Sequence, residues 1–155
     1  MRKPEPTALG KAVELLARQE QSAKVLRRKL LERGYDEAEV DAAIKTLTEK
    51  KYLDDADACA SQFENLYEAE TLSVRQIYAK LIQRGFDADT IENLIPADTY
   101  ERELRAASKA LEKKFSGQNI DAKVKLKIRQ HLALKGFGSE IISAAVEKFL
   151  DGDGD

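Results

Sequence analysis

KLLERGYDEAEVDAAI (residues 29–44) returns as KLIQRGFDADTIENLI (80–95) and again as HLALKGFGSEIISAAV (131–146). Gly34-Tyr35, Gly85-Phe86 and Gly136-Phe137 lie 51 residues apart each time. Around them Leu30, Leu81 and Leu132 share a phase, as do Leu26, Ile77 and Ile128. Val40, Ile91 and Ile142 form a third set, and Ile44, Ile95 and Val146 a fourth. Self-similarity at a fixed period means one supersecondary unit copied along the chain. Such a protein works through surfaces that its repeats present, more than through an enclosed pocket.

Each copy reads as three helices. Leu9, Ala12, Val13, Leu16 and Ala17 recur at helical spacing and predict a first helix over residues 7–20. Ser22 stands where an N-cap belongs, and the second helix runs to about Arg33, where Gly34 supplies the left-handed residue that ends it. Asp36 with Glu39 predicts a capping box for the third helix, and Tyr35 with Val40 a hydrophobic staple that recurs as Phe86 with Ile91 and Phe137 with Ile142. Asp54 and Asp55 read as caps for the next helix. Pro96 stops the sixth early, and Asp98 with Glu101 predicts another capping box. Ser116-Gly117-Gln118-Asn119 is a loop, and helices over residues 122–135 and 139–150 follow. The expected fold is all-α: repeats at 8–55, 56–100 and 101–150, then a disordered acidic tail at 151–155. No segment reads as a strand.

Composition narrows the function. One cysteine, Cys59, allows no intrachain disulfide, which fits a reducing compartment. MRKPEPTALG lacks the apolar core of a secretory leader, and no apolar run approaches the ~20 residues of a membrane span. A soluble cytoplasmic monomer without membrane contact is expected. The net charge of −2 conceals a polarity. Residues 8–55 carry 10 basic and 10 acidic side chains, residues 56–100 carry 3 and 8, and residues 101–150 carry 11 and 6. Polarity of this kind concerns partners more than fold.

Catalytic chemistry finds little support. His131 and Cys59 are the sole histidine and cysteine and lie in different repeats, so no zinc spacing exists; a surface helix position suits His131 and a packed one Cys59. Gly136-Phe137-Gly138 is too short for a phosphate loop. No cofactor and no metal are expected, and an enzyme is the least supported class. The basic clusters are the stronger signal. Lys24, Arg27, Arg28 and Lys29 lie on the second helix. Lys123, Lys125, Lys127 and Arg129 lie on the eighth, with Lys109, Lys113 and Lys114 nearby in sequence. Solvated helix faces are the ordinary reading of such runs; contact with phosphates or an acidic protein groove is the functional one. Tyr35, Phe86 and Phe137 could stack on bases, but the staple explains all three at once.

ARQEQSAKVLRRKLLERGY (17–35), KKYLDDADACASQF (50–63) and KVKLKIRQHLALKGF (123–137) resemble the RecX family of bacterial RecA regulators. The resemblance runs from about Leu9 to Leu150. It implies an elongated, curved, all-helical protein of three three-helix repeats. Such a protein binds the groove of the RecA nucleoprotein filament and inhibits ATP hydrolysis, strand exchange and filament extension without catalysis of its own. Where relatives carry a Gly-x-Gly-Pro loop before the fifth helix, this chain has Thr71-Leu72-Ser73-Val74, and Gln21 replaces a histidine before Ser22. These departures, with the acidic middle repeat, shift the expected RecA and DNA contacts to the outer repeats: Lys24, Arg27 and Arg28 in the first; Lys113, Lys114, Lys123, Lys125, Lys127 and Arg129 in the third. DNA phosphates would be bound weakly without RecA. A nonspecific DNA-binding repeat protein and a helical adaptor for another protein are the alternatives.

Overall fold

The computed structural model describes residues 5–152 of the 155. Among them lie nine helices and no strand: α1 (Ala8–Arg18), α2 (Ala23–Glu32), α3 (Glu37–Glu49), α4 (Asp55–Ala69), α5 (Val74–Gln83), α6 (Ala88–Leu94), α7 (Tyr100–Phe115), α8 (Ala122–Leu134) and α9 (Ser139–Gly152). The chain is an all-α repeat protein, as the periodicity requires. It divides into two compact units, an N-terminal one of Met1–Gln62 with Leu81–Ile91 and a C-terminal one of Phe63–Lys80 with Glu92–Asp155. The division therefore cuts through α4, α5 and α6 instead of following the 51-residue period.

In the N-terminal unit Ala8, Ala12, Leu15, Leu26, Leu30, Val40, Ala43 and Leu47 form one buried cluster. Ser22 caps α2, its Oγ accepting from the Val25 N–H at 3.2 Å. The same hydroxyl donates to the Arg84 carbonyl at 2.7 Å. The Ala23 N–H, left over at the start of α2, donates to Asp55 at 2.8 Å, while Asp54 caps α4 through the Asp57 N–H at 3.1 Å. Asp55 thus serves a helix 32 residues upstream and not its own. The predicted Asp36–Glu39 box does not form. Asp36 makes no side-chain cap bond, and Glu39 accepts from the Ala8 N–H at 3.0 Å, closing the start of α1. Cys59 is fully buried, and burial, then Asp55, pushes its thiol pKa up, away from the reactive thiolate.

The C-terminal unit repeats the plan around Ala107, Leu111, Phe115, Ile128, Leu132, Ile142 and Val146. Ser73 Oγ accepts from the Gln76 N–H at 3.1 Å and donates to the Lys135 carbonyl at 2.5 Å. The Val74 N–H donates to Glu103 at 3.1 Å. The serine contact of the N-terminal unit is therefore built a second time, 51 residues on, while the carboxylate that takes the first helical amide comes from Glu103, 48 residues after Asp55. Ser73 stands where the resemblance expects glycine, and it recreates the Ser22 contact. α7 starts after Thr99 and not from a box, since Thr99 makes no cap bond and Asp98 accepts from the Tyr100 N–H at 3.1 Å. α9 continues through Asp151 and Gly152, which the sequence assigned to the disordered tail; residues 153–155 of that tail lie outside the described residues.

The recurring glycine has a second purpose beyond ending a helix. Gly34, Gly85 and Gly136 all have φ near +90°. A Cβ on Gly34 would meet nothing, whereas one on Gly85 would lie 2.6 Å from Ser22 Oγ and one on Gly136 3.1 Å from Ser73 Oγ. Where a preceding repeat is present to dock, the glycine lets the serine reach the carbonyl just before it. Phe86 and Phe137 are each 5% exposed, so they are core side chains and not stacking platforms.

Candidate functional site

Each expected basic residue lies on a helix surface, but their surroundings differ. In the N-terminal unit Arg27 donates to Asp41 at 2.8 Å and to Glu37 at 2.9 Å, and Arg28 lies 3.6 Å from Glu32. Lys29 donates to Oε1 of the buried Gln21 side chain, whose Nε2 donates onward to the Leu15 carbonyl. Of the four cations on α2, Lys24 alone has no carboxylate or amide partner among the described residues. Their field is largely cancelled where it arises.

In the C-terminal unit Lys113, Lys114, Lys123, Lys125, Lys127 and Arg129 are all exposed, and none pairs with a carboxylate among the described residues. Ile128 and Leu132 fix the buried face of α8. At 3.6 residues per turn, Lys123 and Lys127 then lie on one flank of that face and Lys125 and Arg129 on the other. The first flank continues through His131 to Lys135, which follows the last residue of α8, so every fourth residue from Lys123 is cationic or titratable. Lys113 and Lys114 of α7 meet this flank. Together with Lys109, His131 and Lys135 they line an open groove of about 420 Å³ over an apolar floor of Ala106 and Ala110.

His131 is not the plain surface residue its sequence suggests. It is half-buried, edge-on to Phe115 with centroids 5.7 Å apart, and its Nδ1 lies 3.5 Å from Lys114 Nζ. Burial first, then Lys114 and Lys135, lowers its pKa below the ordinary 6.5. The sole carboxylate on the groove wall, Glu70, is already held by Arg105 at 2.9 Å and Lys109 at 3.3 Å, and the Arg105 bond foremost lowers its pKa. Lys135 escaped the sequence reading; the four-residue ladder from Lys123 was the signal that could have found it.

A groove in the equivalent place exists in the N-terminal unit, lined by Gln19, Glu20, Gln62 and Arg84. Gln62 stands 51 residues before Lys113, and Arg84 the same distance before Lys135. There Gln62 donates to the Glu20 carbonyl at 3.0 Å and accepts from Arg84 at 2.8 Å. In this smaller groove of about 260 Å³ the cations Arg28, Lys29 and Arg84 are engaged by Glu32, Gln21 and Gln62. Lys113, Lys114 and Lys135 of the other copy have no carboxylate partner among the described residues. The described residues hold no cluster of three metal-type ligands, and no helix among them is long and apolar enough to cross a membrane.

A tandem array of three-helix modules with one basic flank describes a class of helical-repeat proteins. Residues 8–47 match the first three-helix domain of RecX, and residues 101–146 match the third. The regulatory protein RecX of Vibrio parahaemolyticus serotype O3:K6 is 34% identical over 155 residues, covering 96% of this chain and 96% of that protein. That of Neisseria meningitidis serogroup C is 29% identical over 150 residues, covering 96% and 95%. The crystal structure of RecX from Lactobacillus salivarius superposes with a TM-score of 0.74 at 19% identity, over 92% of this chain and 94% of that one. The chain belongs to the RecX family.

Proposed function

We propose that the chain is a non-enzymatic modulator of the RecA recombinase. It binds the RecA–DNA filament and suppresses ATP hydrolysis, strand exchange and filament extension. The observation that carries this reading is the unpaired basic surface of α7 and α8 on a RecX fold, which suits a partner bearing phosphates or acidic side chains. A protein of this kind inhibits only if it binds one arrangement of neighbouring subunits better than another, because a ligand shifts an equilibrium by its difference in affinity and by nothing else. The sequence placed contacts in both outer repeats. The internal pairing of Arg27 and Arg28 favours Lys113, Lys114, Lys123 and Lys127 as the principal ones, with Lys24 as the contribution of the first repeat. Titrating RecA's DNA-dependent ATPase with this protein tests the reading. Inhibition at stoichiometric amounts is expected, and an unchanged rate there refutes it. A second reading, DNA binding without RecA, is favoured by the ladder of cations on α8. It predicts binding to bare DNA that weakens log-linearly with salt.

A further inference from the structure

The groove between α7 and α8 has a feature that a general basic surface does not need. Its one histidine is wedged among lysines, against an aromatic edge. Lys109, Lys113 and Lys114 line the groove with it from α7, Lys135 from just past the end of its own helix, and Glu70 from just past the end of α4. Glu70 is engaged by Arg105 and Lys109 and leaves the other cations uncompensated. The copy of this groove in the N-terminal unit shows that the fold does not require a lysine at the position of Lys113, since Gln62 stands there and makes two hydrogen bonds.

We propose that this groove is a site for the phosphates of a single nucleic-acid strand, and that His131 gains a proton when it fills. Three observations select the occupant. The wall cations uncommitted to Glu70 are lysines and not arginines, point charges suited to phosphate and lacking the planar fork that matches carboxylates. Lys123 and Lys127 carry the four-residue spacing of His131 and Lys135 on beyond the groove, each step rising about 6 Å and turning about 40° around the helix, so a chain of phosphates leaving the groove meets further cations that a single ion would not use. The floor of Ala106 and Ala110 is apolar and suits a sugar edge. Choosing a nucleic-acid strand rests on the functional reading above; the experiment leaves RecA out, so either can fail alone.

The proton follows from electrostatics. In the empty groove burial and neighbouring lysines favour the neutral ring. A phosphate placed among them reverses the sign of the local field and favours imidazolium. Binding therefore strengthens as pH falls through the histidine range. Diester phosphates do not titrate there, so an oligothymidylate of about eight nucleotides is a clean probe.

The full-length protein is titrated with that oligonucleotide while the His131 ring resonances, the only histidine signals in the chain, are followed by NMR at pH values from about 5.5 to 8. The expected result has three parts. The ring resonances shift on binding and its titration midpoint rises. Affinity at the acid end is up to about tenfold higher than at the alkaline end, matching a tenfold change in proton affinity. H131Q removes that pH slope, and K113E/K114E, at two exposed positions, removes binding with helicity intact. Unmoved His131 resonances at saturation, undiminished binding by K113E/K114E, or equal binding of a polyglutamate of the same length would each overturn the assignment.

Discussion

At the scale of single residues, glycines 34 and 85 look interchangeable in sequence and are not. Both have a φ of 92°, so alanine at either carries the left-handed penalty of about 1–2 kcal/mol. At Gly34 that is the whole cost, because no atom lies within 4 Å of the new methyl. At Gly85 the methyl meets Ser22 Oγ at 2.6 Å and Val25 Cγ2 at 3.3 Å. Ser22 is 1% exposed and holds both the Val25 amide and the Arg84 carbonyl, so it cannot swing away without leaving a buried polar group unpaired. G85A is therefore expected to be less stable than G34A by a further ~1–3 kcal/mol, the usual cost of overpacking. Both sites lie in the N-terminal unit, so urea unfolding compares them directly. Equal losses would show that the serine joint does not constrain the glycine.

At the scale of elements, α7 organises the C-terminal unit through two charged residues. Arg102 and Glu103 are 4% and 8% exposed and 2.6 Å apart. Arg102 donates to the Leu66, Tyr67 and Leu72 carbonyls and stacks over the Tyr67 ring at 4.8 Å, so it caps the end of α4. Glu103 caps the start of α5. R102A strands a buried carboxylate and three carbonyls, and a loss of about 3–5 kcal/mol is expected. R105A breaks only a half-exposed pair with Glu70 and should cost about 1 kcal/mol or less. Thermal or urea unfolding separates the two, and comparable losses would remove Arg102 from its place as the clamp. Nothing in the sequence marks Arg102. A charged pair in a helix reads as a solvated face, and its partners are backbone carbonyls, which have no sequence signature. The helices and their order were legible because apolar periodicity repeats three times. Asp55 and Glu39 were misread for the opposite reason. Each sits where a local cap is expected, but tertiary packing brings a distant helix N-terminus within reach.

At the scale of the whole molecule, charge is the property that differs most between copies of one frame. The sequence showed where basic residues cluster. It did not show that the α2 arginines are paired with Asp41, Glu37 and Glu32. Helical spacing did separate Lys123 and Lys127 from Lys125 and Arg129. A test at constant charge exploits that division. K123E/K127E and K125E/R129E each reverse two exposed cations of α8, change the net charge equally and touch no buried side chain. Attraction to a polyanion at long range falls by the same amount in both, so any difference between them reports which flank makes contact. The flank of Lys123 and Lys127 continues into His131, Lys135, Lys113 and Lys114, whereas Lys125 and Arg129 have no such continuation among the groove residues. K123E/K127E is therefore expected to raise the protein concentration for half-inhibition of the RecA ATPase at least about tenfold, or ~1.4 kcal/mol, with K125E/R129E several-fold less affected. Equal losses would mean that α8 acts through net charge alone. The reverse order would place the partner on the opposite flank, away from the groove.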